Sequence, residues 1–295
     1  MTIANYQALG TSAAATTTAV TPTIPTHAIN DLMVLMAEGS NTDFGTDPSG
    51  WTAIAQVDGA TSSLKVWFRI ATSTDENTDH PTTITPTTAN HTYAQVATAR
   101  NVNLANPYTI IARFENTGMA ASTAAALPGG VTVVDDVLYW AMGGYSGDGA
   151  GPLFSLESNA DVTTLTERND EGTALGNGGG VVLYTGTIAA AGNVRSTTFT
   201  SSLTTGMVGL VLAVNPIADF TISGTVTING SAAANGNDVR VLDQTQPASS
   251  FLCIAGTTGG GTGAFTCKSP YTDHNYQAVY EDGASYGASA TDVAV

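Results

Sequence analysis

Charge is what this sequence has least of. Only 11% of its 295 residues are Asp, Glu, Lys or Arg, less than half the share usual in soluble domains. Cations are scarcest: 8 Lys and Arg stand against 24 Asp and Glu, a formal net charge of −16. A chain of that sign repels nucleic acid and anionic lipid, which argues against both as partners. The better helix formers (Lys, Glu, Arg, Gln) are few while Thr and Val abound, which favours strands. No apolar run reaches the roughly 18 residues that a membrane-spanning helix needs. The opening "MTIANYQALG" has neither a basic region nor a long apolar stretch, so no signal peptide is expected. Two cysteines, Cys253 and Cys267, are too few for a structural zinc site. Aromatic residues make up 7%, thin for a dedicated carbohydrate platform.

What is present is a neutral, hydroxyl-rich chain with 42% hydrophobic residues, enough for one large core or two ordinary ones. Apolar runs of five to eight residues recur between Gly, Pro, Asn, Asp and Thr clusters. They predict strands at 31–38, 51–57, 63–71, 82–86, 92–99, 108–115, 131–143, 162–167, 180–188, 196–200 and 206–214. Such spacing points to a sandwich or barrel. In "LKVWFRIA", Leu64, Val66, Phe68 and Ile70 share one face, while Lys65, Trp67 and Arg69 share the other. "LMVLM" and "VVLY" are apolar on both faces and predict central strands covered twice. Residues 118–127, Ala-rich but ended by "LPGG", are expected to be loop. "AVNPIADF" marks a boundary: the last strand ends in a turn signal and a new strand–turn–strand pattern begins at 218.

The stretches "NDLMVLMAEG" (30–39) and "DDVLYWAMGG" (135–144) are built alike. Each opens on acid, runs apolar, and closes on a small residue or glycine. Asp31, Asp135 and Asp136 could be general acid–base carboxylates, or acids that turn the chain at a strand start and hold it at the surface. No companion His, nucleophile or metal cluster flanks either stretch, which favours the second reading. A glycan-degrading enzyme would instead need two carboxylates about 5–10 Å apart in a cleft.

Other motifs fail on spacing. Asp75, Asn77 and Asp79 begin like a calcium loop, but His80 stands where that loop requires glycine. "GGYSGDGAG" misses the nucleophile-elbow pattern, with Asp148 in place of its final glycine. "GNGGG" (176–180) lacks the Lys-Ser or Lys-Thr of a phosphate loop. His27, His80, His91 and His274 sit in unrelated contexts. Trp51, Trp67 and Trp140 read as core anchors; Trp67, out of phase with Val66 and Phe68, could instead face a partner or a sugar. Cys253 and Cys267 lie seven residues either side of Gly260. A symmetric hairpin would set them face to face, which admits a disulfide outside the cell or two packed thiols inside it. No catalytic, cofactor-binding or metal-ligating residue is predicted.

In order along the chain stand Asn30-Asp31-Leu32, Pro48-Ser49-Gly50-Trp51-Thr52, "VWFRIA" (66–71), "TTIT" (82–85), Arg100-Asn101-Val102 and Asn106-Pro107. There follow "TVVDDVLYWA" (132–141), Arg168, "AAAG" (189–192), "TTFT" (197–200) and Asn215-Pro216. This series resembles a jelly-roll-like β-sandwich domain of bacteriophage and prophage structural proteins, over residues 25–216. It departs in Asn30, where glycine is usual, and in the added "YSGDGAGPL". "ISGTVTINGSAAANGNDVRVLD", a Gly-rich hairpin and "YQAVY" resemble an Ig-like module of the carboxypeptidase-regulatory or transthyretin-like kind. The resemblance implies an all-β chain: a jelly-roll-like sandwich over 1–217 and a small Ig-like sandwich over 218–295. It implies a virion component without cofactors, assembled in the host cytoplasm and released by lysis. Its expected mode is binding rather than turnover. The expected partners are the major capsid protein or other virion proteins and further copies of itself. Decoration of the capsid exterior suits the acidic surface; a tail or fibre component, or an adhesin on host-surface glycan, is the alternative.

Overall fold

A computed structural model describes residues 3–217 except 17–18, 41, 75–80, 89, 117–123, 148–150, 152 and 203–205. Beyond 217 it describes the backbone of the strands named below. The chain divides into two compact units, Thr2–Ile217 and Ala218–Val295. All described regular structure is strand, without helix. The first unit begins with β1 (Asn5–Leu9), β2 (Ala13–Ala15), β3 (Leu32–Gly39), β4 (Thr52–Asp58), β5 (Ser63–Ile70), β6 (Thr92–Arg100), β7 (Tyr108–Asn116) and β8 (Ala124–Leu127). It continues with β9 (Gly130–Thr132), β10 (Val137–Ser146), β11 (Phe154–Ser158), β12 (Thr163–Thr173), β13 (Gly179–Ile188), β14 (Gly192–Val194), β15 (Thr197–Ser201) and β16 (Met207–Val214).

Two antiparallel sheets form the sandwich. One runs β1-β6-β3-β5-β4, with β2 also on β6; the other runs β12-β13-β10-β16-β7. The two look-alike stretches of the sequence are the middle strands, β3 and β10, and they face each other. Leu32, Val34 and Met36 meet Leu138, Trp140 and Met142 in one buried cluster. The period of two turns the alternate residues outward, and both outward faces are covered. Met33, Leu35 and Ala37 lie under Val20, Ile24, Phe44, Trp51 and Ile84. Val137, Tyr139, Ala141 and Tyr145 lie under a third layer, the small sheet β11-β15-β8, which supplies Phe154, Phe199 and Leu127. This double cover is why both runs are apolar throughout. Asp170, on β12, pins the third layer: its Oδ2 accepts the amides of Leu153 and of Phe154, the latter at 2.7 Å.

Several expectations are corrected. Residues 82–86 form no strand, only a bridge between Ile84 and Val20. Pro81 before the segment and Pro86 at its end cannot donate to a ladder. The run 131–143 is broken into β9 and β10, the break falling where Asp136 takes a positive φ of 55°. The end of the expected loop 118–127 is strand β8, paired with β15; residues 118–123 lie outside the described set.

The second unit holds β17 (Phe220–Thr225), β18 (Thr227–Ile228), β19 (Ser231–Ala232), β20 (Asp238–Asp243), β21 (Ser250–Gly256), β22 (Ala264–Ser269), β23 (Tyr276–Glu281) and β24 (Tyr286–Gly287). Cys253 and Cys267 do not oppose each other across one ladder, as a symmetric hairpin would require. Cys253 is in register with Val241 on β20 and Cys267 with Ile222 on β17. Strands β21 and β22 belong to different sheets.

Candidate functional site

The acids singled out from the sequence are occupied by architecture. Asp31 is not at the surface but 1% exposed. Arg100 grips it with two bonds of 2.8 Å, from Nε and Nη2, and its Oδ2 also accepts the Ala28 amide at 2.7 Å. A carboxylate satisfied by a bidentate guanidinium and a backbone N–H fixes the loop before β3 to the end of β6. Asp135 is exposed and accepts the Ala191 amide at 2.6 Å. Asp136 is the left-handed residue of the turn into β10. These are chain-turning roles, and the three acids are not grouped so as to hold a metal ion.

The tryptophans are core. Trp140 and Trp67 are fully buried; Trp67 donates to Asp47 Oδ1 at 2.7 Å and stands edge-on to Phe44. Its outward phase is explained by the covered outer face, not by a ligand. His27 bonds the Pro25 carbonyl through Nδ1 at 2.8 Å. Asp75, Asn77, Asp79, His80, Asp148 and the His274 context lie outside the described residues. Among the described residues, no three His, Cys, Asp or Glu side chains are grouped to hold a metal ion.

The arrangement that sequence reasoning missed is Glu38 with His91. Glu38 is the acid at the far end of β3, in phase with Met36 and so aimed between the sheets. His91 immediately precedes β6. Its Nε2 lies 2.8 Å from Glu38 Oε2, and its Nδ1 lies 2.7 Å from Asn177 Oδ1, in the turn between β12 and β13. Both partners of the ion pair are 0% exposed. Tyr93 and Glu171 approach at 3.4 Å nearby. The signal available in the sequence was an acid closing an otherwise apolar strand; in the structure it stands opposite Gly144, where a side chain would press on Glu38 Cγ at 3.0 Å.

Burial pushes the Glu38 carboxyl up to about 7, with the bond and charge of His91 and the nearby Ser62 hydroxyl opposing that rise. Burial also pushes the Tyr93 phenol up to about 12. On β12, burial and the neighbouring Asp170 and Glu157 push Glu167 up to about 7. A carboxyl, an imidazole and an orienting amide in hydrogen-bond contact can pass a proton. Space denies this trio a substrate. Gly179 packs so close that a methyl group there would overlap both His91 Nε2 and Glu38 Oε2, so backbone fills the place of a reacting atom.

A pH dependence follows. A carboxyl whose proton is held more tightly folded than unfolded contributes its full stability below the unfolded value of 4.5 and loses it as pH rises towards about 7. For a shift of this size the loss is about 3 kcal/mol. Glu38→Gln cannot ionise and escapes it. Urea unfolding at pH 5 and pH 8 measures the effect, followed by tryptophan fluorescence, which reports only on the large unit because all 3 tryptophans lie there. From pH 5 to pH 8 the variant should gain about 3 kcal/mol on the native chain; parallel pH profiles would show that Glu38 carries no such cost.

Compared with known proteins, the chain matches no family model, no curated protein and no solved structure.

Proposed function

We propose that this chain is a bacteriophage virion structural protein that works by binding and self-association, in the first place as a decoration or cement protein on the capsid exterior. One observation carries the preference for binding over turnover: the conspicuous carboxylates are committed to the fold. Asp31 is clamped by Arg100, Asp135 holds a loop amide, and Glu38 is sealed against His91 beneath Gly179. The ordered series of short motifs described above supplies the virion context, and the net charge of −16 suits an outward position, away from packaged DNA. Many copies on one shell would reinforce each other, so each contact can be weak.

Quantitative mass spectrometry of purified particles, scaled to the major capsid protein, tests this. A ratio of one copy per capsid subunit, or per few, is expected. A few copies per particle would move the chain to the tail or a fibre, and absence from particles would overturn the virion reading.

A further inference from the structure

We propose that Glu38, His91 and Asn177 form a proton-operated latch that fastens the β12–β13 turn to the end of the facing sheet. The three residues come from three elements: β3, the residue before β6, and the turn between β12 and β13. They meet on the two nitrogens of one imidazole.

The logic lies in what each atom can do. The Asn177 Oδ1 can only accept, so its 2.7 Å bond to His91 Nδ1 requires a proton on Nδ1. On the other side, Nε2 faces a carboxyl oxygen at 2.8 Å. While the pair holds two protons, Nδ1 keeps its own in either arrangement. Either an imidazolium faces a carboxylate, or a neutral ring accepts from the carboxylic acid. When the pair loses one proton to solvent, the carboxylate is ionised and the single remaining ring proton is drawn to Nε2, because two bare acceptors in a sealed site repel. Nδ1 then turns a lone pair on Oδ1. The Nδ1–H···Oδ1 bond is lost, and Asn177 withdraws; were its amide to turn and donate Nδ2–H to Nδ1 instead, the turn would stay fastened and amide exchange at Gly178 would not rise, which overturns the latch. The exposed position of Asn177 gives the change an outlet at the surface.

The turn is small enough to respond. Gly178 N–H donates to Leu175 O at 3.0 Å, and Gly178 O accepts the Gly147 amide at 3.0 Å. Release of Asn177 therefore reaches the end of β10 as well. Among the described residues, Tyr145 on β10 interacts with Glu38, and also with Tyr93 on β6 and Asp170 and Glu171 on β12; Ser62 adds a hydroxyl beside Glu38. Burial raises both phenols, so they stay neutral through the physiological range. Glu167 titrates near neutrality too, but its neighbours are Asp170, Glu157 and Tyr184. The Glu38 shift towards neutral pH sets the latch where modest pH changes act on it. The device does not depend on the virion reading.

Long-range nitrogen–proton spectra of the labelled full chain test it, with His91→Gln used only to identify the His91 ring signals. Native chain should carry the ring proton on Nδ1 at pH 5.5 and on Nε2 at pH 8.5. Over the same range, amide exchange at Gly178 and Gly147, corrected for its intrinsic pH dependence, should rise about tenfold, the worth of one such bond, while Leu210 and Leu212 stay unchanged. Glu38→Gln can donate to Nε2 at every pH, so it should keep Nδ1–H and abolish both steps. Asn177→Ala, in an exposed turn, should hold Gly178 at the released level throughout, and it carries the test if the buried variant fails to fold. Nδ1–H persisting to pH 8.5 in the native chain, or the same step surviving in Glu38→Gln, would overturn the latch. So would an Asn177→Ala profile that still steps with pH.

Discussion

Replacing Trp140 with alanine should destabilise the large unit by about 3–5 kcal/mol, the range for emptying a buried aromatic site. Trp140 sits at the centre of β10, in register with Thr185 on β13 and Leu212 on β16. It is fully buried in the cluster shared by the two sheets, with Tyr6 of β1 at 6.1 Å between ring centroids. Strands on both sides hold the backbone, so the cavity cannot collapse. The indole Nε1 has no hydrogen-bond partner. Trp140→Phe therefore gives up volume but no bond, and should cost about 1–2 kcal/mol by loss of packing alone. Trp67→Phe, by contrast, also removes the donor to Asp47. Urea unfolding followed by the remaining tryptophans gives the ranking. An alanine variant within about 1 kcal/mol of the native chain would mean that the inter-sheet core is not closed around Trp140.

Gly179→Ala should cost at least about 3 kcal/mol, although alanine is ordinarily the more stabilising residue. The backbone conformation is not the obstacle; space is. The new Cβ would stand 2.8 Å from the Tyr145 carbonyl oxygen and 2.5 Å from Glu38 Oε2, and closer still to His91 Nε2. The carbonyl belongs to the β10–β13 ladder and cannot move far. The methyl group must therefore part the buried pair, and separating such partners leaves each without its compensating charge or bond. Gly144→Ala is the control. Its Cβ would meet Glu38 Cγ at 3.0 Å and Leu64 Cβ at 3.1 Å, a tight fit that side chains can relieve for about 1–2 kcal/mol. If the two alanine variants unfold at the same denaturant concentration, the pair is not sealed in the way its geometry implies.

The all-β class and the middle of both sheets were legible in the pattern of residues alone. Alternation and β-branched content placed β3, β5, β6, β13 and β16 close to their observed limits, because a strand with a buried face must repeat every second residue. The pattern also implied that 32–36 and 181–184 are covered on both sides, because a solvent-facing side would carry polar residues. What does the covering depends on contacts between residues far apart in the chain. The third layer includes β8, which reads as an Ala-rich loop until Phe199 and its neighbours on β15 give it a ladder. The short β1 and β2 exist because β6 offers them an edge. The same division applies to the acids. Asp31 looked like a surface turn residue and is buried, since its partner Arg100 is 69 residues away in sequence. Glu38 and His91, 53 residues apart, carry no local mark of each other. A hydrogen bond between strand ends is a product of register, and register is set by which side chains fit between two sheets, not by the residues on either side of the bond.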